Sequence, residues 1–294
     1  MPVVVVGASG LIGTRAVAAL SRTSPQVRAY VRSRDAAAAL SAAGAKVAVG
    51  WAGDVDNLAT VMAGAHTVVH LIGGLDLPSD DEFRAANLDS VRVAVDAARR
   101  AKVERFVFIS YPGADPDSPN AYLRYKGMAE RAVSDSGMAF AIIRSTHVYG
   151  TGSRWLDAVR AEARRRPPVV IGSGKQIVAP VLAEDVAATI VAADDRAELR
   201  SGTWGLEGPD RLTADELADV LGARGRRKVH VGAGTATALA RMMGRRVSRT
   251  TLEVLASDSL SDAPDAAGEF GVSLTAFRAW IAAQTAREPA GRPE

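Results

Sequence analysis

The chain has 294 residues, 48% hydrophobic and 23% charged, a balance that predicts a large buried core and excludes disorder, collagen and coiled coil for its bulk. A formal charge of +3, with basic and acidic residues interleaved, argues against nucleic acid as the main partner. The absence of cysteine removes disulfides, iron–sulfur clusters and thiol catalysis.

The amino terminus runs at once into Val3–Val6, a β-branched strand without a charged leader, so no signal peptide is expected. Leu11 to Arg22 reads as a helix and Val27 to Val31 as strand two. An Ala-rich helix near Ala36 to Ala43 precedes strand three at Lys46 to Val49. A short helix from about Asn57 to Met62 leads to strand four, Thr67 to Ile72. One long helix is expected from about Asp81 to Arg100, with Phe83, Leu88, Val91 and Val95 near one face. Arg105 to Ser110 is strand five, apolar enough to be covered on both sides. A loop from Pro112 to Pro119, a helix from Asn120 to Ser136 and strand six at Phe140 to Ile143 complete the alternation. Six strands separated by helices predict an α/β, doubly wound parallel sheet.

Beyond residue 150 the rhythm changes. Short strands at Val169 to Ile171 and Thr203 to Leu206 flank a helix over Asp185 to Ala193. Helices then dominate, at about Ala214 to Leu221, Thr235 to Met243, Thr250 to Ala256 and Leu274 to Thr285. The expected organisation is a dinucleotide-binding core over 1–150, a smaller helical substrate-side region over 151–286 interwoven with it, and a disordered tail over 287–294. No apolar run reaches the ~18 residues of a membrane span, and a cytoplasmic monomer or homodimer acting on a small molecule is expected. His66, His70, His147 and His230 show no metal-ligand spacing, so no metal is expected.

Gly7-Ala8-Ser9-Gly10-Leu11-Ile12-Gly13 lies between a strand and a helix. Glycines there permit a tight turn, let backbone N–H groups approach a pyrophosphate and let the helix pack on the strand, while the helix N-terminus supplies partial positive charge. Tyr122 and Lys126 are four apart on a helix and so share a face. Such a pair can serve as a phenolic acid or base beside an ammonium, or be a packed tyrosine with a lysine reaching for solvent.

The loop spacing Gly-x-x-Gly-x-x-Gly resembles the short-chain dehydrogenase/reductase superfamily, in its extended and atypical branch. Further matches are Val49-Gly50-Trp51-Ala52-Gly53-Asp54, Asn87, and the segment from Ala179-Pro180 to Asp185-Val186-Ala187. Tyr122-Leu123-Arg124-Tyr125-Lys126 is similar to the NmrA-like group and to the nucleotide-binding accessory subunit of respiratory complex I. The resemblance spans roughly residues 1–222 and, more loosely, 258–281. It implies a Rossmann fold with a cofactor on Gly7, Ser9, Gly10, Leu11, Ile12 and Gly13. It also implies adenine beside Asp54 and Val55, further contacts from Leu71, Ile72 and Gly73, a ribose contact from Lys126, and the nicotinamide near Ser145, Thr146 and His147.

Strand two ends in Arg32-Ser33-Arg34, with no acid at the position that holds a ribose 2′-OH, so NADP is expected, with NAD the alternative. Tyr122, Lys126 and Ser110 are the expected catalytic residues. Ser110 is followed by Tyr111 and Pro112, where many members carry a further serine, so it either orients substrate or merely caps the strand. His147 either contacts substrate or is structural. The function expected is an NAD(P)-dependent oxidoreductase acting on a small carbonyl, quinone or alcohol. The alternatives are a non-catalytic NAD(P)H sensor or assembly protein, and a nucleotide-sugar epimerase or dehydratase that uses Arg164 to Arg166 for a second diphosphate.

Overall fold

Four successive valines without exposed surface form β1 (Val3–Val6), and parallel neighbours pair with it on both sides. The computed structural model describes residues 2–196, 200–242 and 247–287. After β1 come α1 (Leu11–Thr23), β2 (Val27–Val31), α2 (Ala37–Ala42), β3 (Ala45–Val49), α3 (Val55–Met62) and β4 (Thr67–His70). Next are α4 (Asp80–Arg84), α5 (Ser90–Arg100), β5 (Arg105–Ser110), α6 (Ala121–Ser134), β6 (Ala139–Ser145) and β7 (Val148–Tyr149). The chain continues through α7 (Arg154–Arg164), β8 (Val169–Ile171), β9 (Ile177–Val178), β10 (Val181–Leu182), α8 (Ala183–Asp195) and β11 (Gly202–Leu206). It then forms β12 (Leu212–Thr213), α9 (Ala214–Ala218), β13 (Val229–Val231), α10 (Ala233–Met242), α11 (Arg249–Leu255), α12 (Ala266–Phe270) and α13 (Phe277–Arg287).

The main sheet is parallel throughout, in the order β11-β6-β5-β4-β1-β2-β3. Apolar side chains cover both of its faces, which is why β1 and β5 read as unbroken buried runs rather than alternating ones. One face packs Ala16, Val17 and Leu20 of α1 against Val186 and Ile190 of α8. The other packs Leu58 and Met62 of α3, Val91 and Val95 of α5 and Val133 of α6. A third cluster, with Tyr149, Leu156, Leu217 and Phe277, holds the C-terminal region together.

The chain leaves β1 for β2 on one side and later returns to β4 on the other. The order therefore reverses beside β1, and a crevice opens there at the C-terminal ends of the strands.

The sheet holds seven strands, not the six of the sequence reading. The short strand read near residue 203 joins it as β11 beside β6, so α8 and β11 extend the layers built by the first half. The helix expected over 81–100 is two helices joined by a π-helical turn at Ala85–Asp89. That turn carries Asn87 inward, where its amide serves the backbone of Gly74 and the Phe83 carbonyl. β4 stops at His70, before Leu71 and Ile72. α9 passes at Ala218 into a π-helical turn over Asp219–Ala223, within which Gly222, with φ 121°, is the non-helical residue. The tail expected over 287–294 lies outside the described residues from 288 onward, and Met243 of the expected helix lies outside them too.

Candidate active site

The parallel sheet brings the ends of β1, β2, β3, β4, β5 and β6 to one edge, and with them the residues singled out in the sequence. Gly7 has φ +86°, and a Cβ there would stand 2.9 Å from the Ile72 nitrogen and 3.0 Å from the Leu71 carbonyl carbon. Gly13 admits no side chain, because its Cβ would fall 2.4 Å from the Gly7 carbonyl oxygen. Gly10 differs. Its backbone angles, φ −76° and ψ 176°, suit any residue, and a Cβ would meet only the Gly7 carbonyl oxygen, at an ordinary 3.5 Å.

The fold therefore demands glycine at 7 and 13 but not at 10. Gly10 is also the N-cap of α1 and offers no side chain to the first N–H groups of that helix. An open, uncapped helix start behind a tight glycine turn is a cradle for phosphate, and the residues present fit a dinucleotide.

Arg32 and Arg34 are exposed just past the end of β2, with no ion pair among the described residues. Asp35 is turned to Ser33, whose hydroxyl lies 2.6 Å from its carboxylate. Asp54 caps α3 by accepting the Asn57 N–H at 3.0 Å, and Val55 follows it, half-buried. Gly73 lies against Asn87 and Lys126: a Cβ on it would be 2.9 Å from Asn87 Oδ1 and 3.2 Å from Lys126 Nζ. Leu71, Ile72, Gly73 and Lys126 thus adjoin the glycine turn directly or through one neighbour. Ser145 and Thr146 are buried and bonded to carbonyls, Thr146 Oγ1 donating to Ala179 O at 2.5 Å.

Asn120 starts α6 by accepting the N–H groups of Tyr122 and Leu123 at 3.2 and 3.4 Å, while its amide reaches Thr250 O on α11. Arg144 grips Glu130 with two hydrogen bonds, 3.0 and 2.8 Å, and ties α6 to β6. Lys126, fully buried, donates to Ile109 O at 2.9 Å and lies 4.7 Å over the Phe108 ring. Burial pulls its amine down to about 8, against the pull of Glu130. Tyr122 is buried too, and its hydroxyl has no hydrogen-bond partner among the described residues. Burial, reinforced by the neighbouring Tyr111, drives that phenol well above its ordinary value, so it is a held proton donor. Ser110 Oγ is likewise buried and unpartnered.

Sequence reasoning missed the ring assembly beside Tyr122. Tyr111 meets Tyr122 edge-on at 5.4 Å and points its hydroxyl at His147 Nε2, 3.2 Å away, and Ser259 Oγ, 3.0 Å away. His147 stacks on Trp155 at 4.9 Å with rings 9° from parallel. His147 is therefore joined to Tyr111 and Trp155. The only sign of this in the sequence was Tyr111 itself, at a position where a small hydroxyl was expected. Of the expected diphosphate arginines, Arg165 pairs with Glu162 at the end of α7. A groove of about 600 Å³ lined by Val220, Arg224, Arg278 and Ile281 shares no residue with the glycine loop or the Tyr122–Lys126 pair.

The buried histidines set an acid limit. Burial holds His147 at about 4 and His70, beside the Lys126 charge as well, at about 3. Both folded values lie below the unfolded value of about 6.5, so the unfolded chain binds more protons over the interval between. Stability is full above the unfolded value and falls as pH drops, by about 2 kcal/mol per histidine at pH 5. Thermal melts at pH 7 and pH 5 test this: His70→Leu should remove about half of the loss. An unchanged slope would contradict it.

Comparison with known proteins settles the family. The model of an NAD(P)H-binding family matches residues 7–197. The chain belongs to this NAD(P)H-binding family. Its cofactor class is thereby NAD(P)H, and the short-chain dehydrogenase/reductase resemblance with its Rossmann fold holds. It is 34% identical over 172 residues to the mitochondrial NADH dehydrogenase [ubiquinone] 1 alpha subcomplex subunit 9 of Arabidopsis thaliana, covering 57% of this chain and 42% of that one. The chain thus spans less than half the length of that relative. The NAD(P)H azoreductase of Xenophilus azovorans is 29% identical over 227 residues, 77% of this chain and 75% of the relative. An NADPH-dependent quinone oxidoreductase from Escherichia coli, solved with NADPH, shares the fold with a TM-score of 0.77, 20% identity and coverage of 96% and 99%. Among the described residues no helix is long and apolar enough to cross a membrane.

Proposed function

We propose that this chain is an NADPH-dependent reductase of small conjugated or carbonyl acceptors, in which Tyr122 donates the proton. The observation that carries the reading is the Tyr122 hydroxyl: on a buried ring, kept protonated by its surroundings, without a hydrogen-bond partner among the described residues, and one helical turn from Lys126. Its free hydrogen-bonding capacity is available to a bound substrate oxygen or nitrogen. The azoreductase relative supports reduction as the reaction class.

Bound NAD(P)H supplies a hydride. Gly7, Gly10, Gly13 and the start of α1 hold the pyrophosphate, Arg32 and Arg34 take the 2′-phosphate, and Asp54 and Val55 border the adenine. Leu71, Ile72 and Gly73 wall the cofactor groove. Lys126, now on Ile109 O, would hold the nicotinamide ribose, and the backbone of Ser145, Thr146 and His147 would hold the nicotinamide. Ser110 Oγ orients the substrate atom that Tyr122 protonates. The buried rings of Tyr111 and Phe83 fix the Tyr122 ring and keep water from it.

A non-catalytic binding module is the second reading. It is favoured by Lys126 being held on Ile109 O, with nothing in the chain lowering the Tyr122 phenol.

Calorimetry with NADPH and NADH tests the cofactor assignment. NADPH should bind more tightly, and Arg32→Ala should weaken NADPH by about 10- to 100-fold, the worth of one charge-assisted contact, with a much smaller change for NADH. Equal affinities in the wild type would sink the 2′-phosphate assignment. NADPH oxidation against quinones, azo dyes and aldehydes then tests the activity.

A further inference from the structure

The interleaving of charge along the chain breaks in one long stretch. Between Asp219 and Glu253 there are eight Arg and Lys residues and no acid, so this stretch carries +8 and the rest of the chain −5. Some of these cations are spent inside the fold. Arg226 donates to the carbonyls of Ala163 and Arg165, Lys228 pairs with Asp219, and Arg249 pairs with Glu253. Arg224, Arg227 and Arg241 are exposed and have no ion pair among the described residues. The same stretch holds Val229, Leu239 and Met242, three of the five large apolar side chains that stand exposed among the described residues.

Two of those three lie on α10. At helical spacing, Ala233, Ala236 and Ala240 lie on its half-buried side, whereas Ala238, Leu239 and Met242 lie on the outer one. An ordinary surface helix buries its large apolar side chains and shows its polar ones. α10 does the reverse: small alanines face inward, while Leu239 is 48% and Met242 84% exposed, with Arg241 next to Met242 in the chain. We propose that α10 is a membrane-docking helix that seats Leu239 and Met242 in the surface of a bilayer rich in anionic lipid, with the free arginines on the headgroups. Apolar side chains bordered by arginine match such an interface, where acyl chains lie beneath negative headgroups. With ten residues α10 is too short to cross, so it lies along the surface. A second copy of this chain on that face would set like charge against like charge. Nucleic acid would meet aliphatic side chains, with no ring on α10 to stack a base.

Co-sedimentation of the whole protein with vesicles tests this, using phosphatidylcholine alone or equal parts phosphatidylcholine and phosphatidylglycerol. The wild type should bind the mixed vesicles, leave them at high salt and ignore phosphatidylcholine alone. Leu239→Ser combined with Met242→Ser should weaken binding at least about tenfold, and Arg241→Gln about fivefold. All three side chains are exposed, so these variants should keep the wild-type melting temperature and NADPH affinity. Full binding by the Leu239→Ser, Met242→Ser variant would overturn the role of α10, leaving only diffuse charge attraction. Equal binding to both vesicle types would overturn the anionic-lipid assignment. No binding to either would overturn the proposal, whether the face then proves to join two copies in analytical ultracentrifugation or to hold nucleic acid. None of these outcomes touches the reductase reading, which rests on Tyr122.

Discussion

Tyr122→Phe is expected to lower kcat at least ~100-fold with every accepted substrate, the usual worth of a positioned acid–base group. Cofactor affinity should hold, because the lost hydroxyl is assigned to substrate rather than to the dinucleotide. The fold should hold as well: the ring keeps its edge contacts with Tyr111 and Phe83, and the hydroxyl removed bonds to nothing in the chain. Steady-state kinetics beside a calorimetric NADPH titration decides this. Lys126→Ala should damage both quantities, since its amine is assigned to the ribose and its stem fills space beside Phe108. Ser110→Ala separates the two readings of that serine: a large fall in kcat assigns it to substrate, and an unchanged kcat leaves it a strand cap. Equal turnover by wild type and Tyr122→Phe would rule out the proton-donor role.

The second large effect is at the glycine loop. Gly10→Val should abolish dinucleotide binding, by on the order of 100-fold or more, while the protein stays folded. A Cβ at 10 meets only the Gly7 carbonyl oxygen, at 3.5 Å, so the expected loss is of the ligand rather than of the fold. Gly13→Val is the contrast, since its Cβ would fall within 2.7 Å of the Ala8 backbone, and it should lose stability first. Circular dichroism melts and cofactor fluorescence titrations on both variants separate the two glycines. Wild-type affinity in Gly10→Val would mean that the loop holds no phosphate.

The contrast shows what a sequence can and cannot carry. β1, the glycine turn and α1 were legible because four valines, three glycines and the helix start are adjacent in the chain and each follows a local rule. Asn120 capping α6 and the Tyr122–Lys126 spacing are local in the same way. The π-helical turn at Ala85–Asp89 was not legible, since its cause is Asn87 bonding back to Gly74, thirteen residues away. Nor was the ring assembly. Tyr111 meets His147 across 36 residues and Ser259 across 148, and no periodicity reports such a meeting. β11 was read as a short strand but not placed, because its partner β6 is fixed by the packing of α8 and α12 rather than by its own five residues. The backbone cradle follows local rules, whereas the side chains packed around Tyr122 come from distant segments.

The most direct test of the central claim is the rate of NADPH oxidation by wild type with and without an acceptor, across quinones, azo dyes and aldehydes. The account predicts acceptor-dependent oxidation by the wild type with at least one of these classes, lost at least ~100-fold in Tyr122→Phe. Tight NADPH binding with the same slow oxidation whether or not an acceptor is present would contradict it and leave a dinucleotide-binding module.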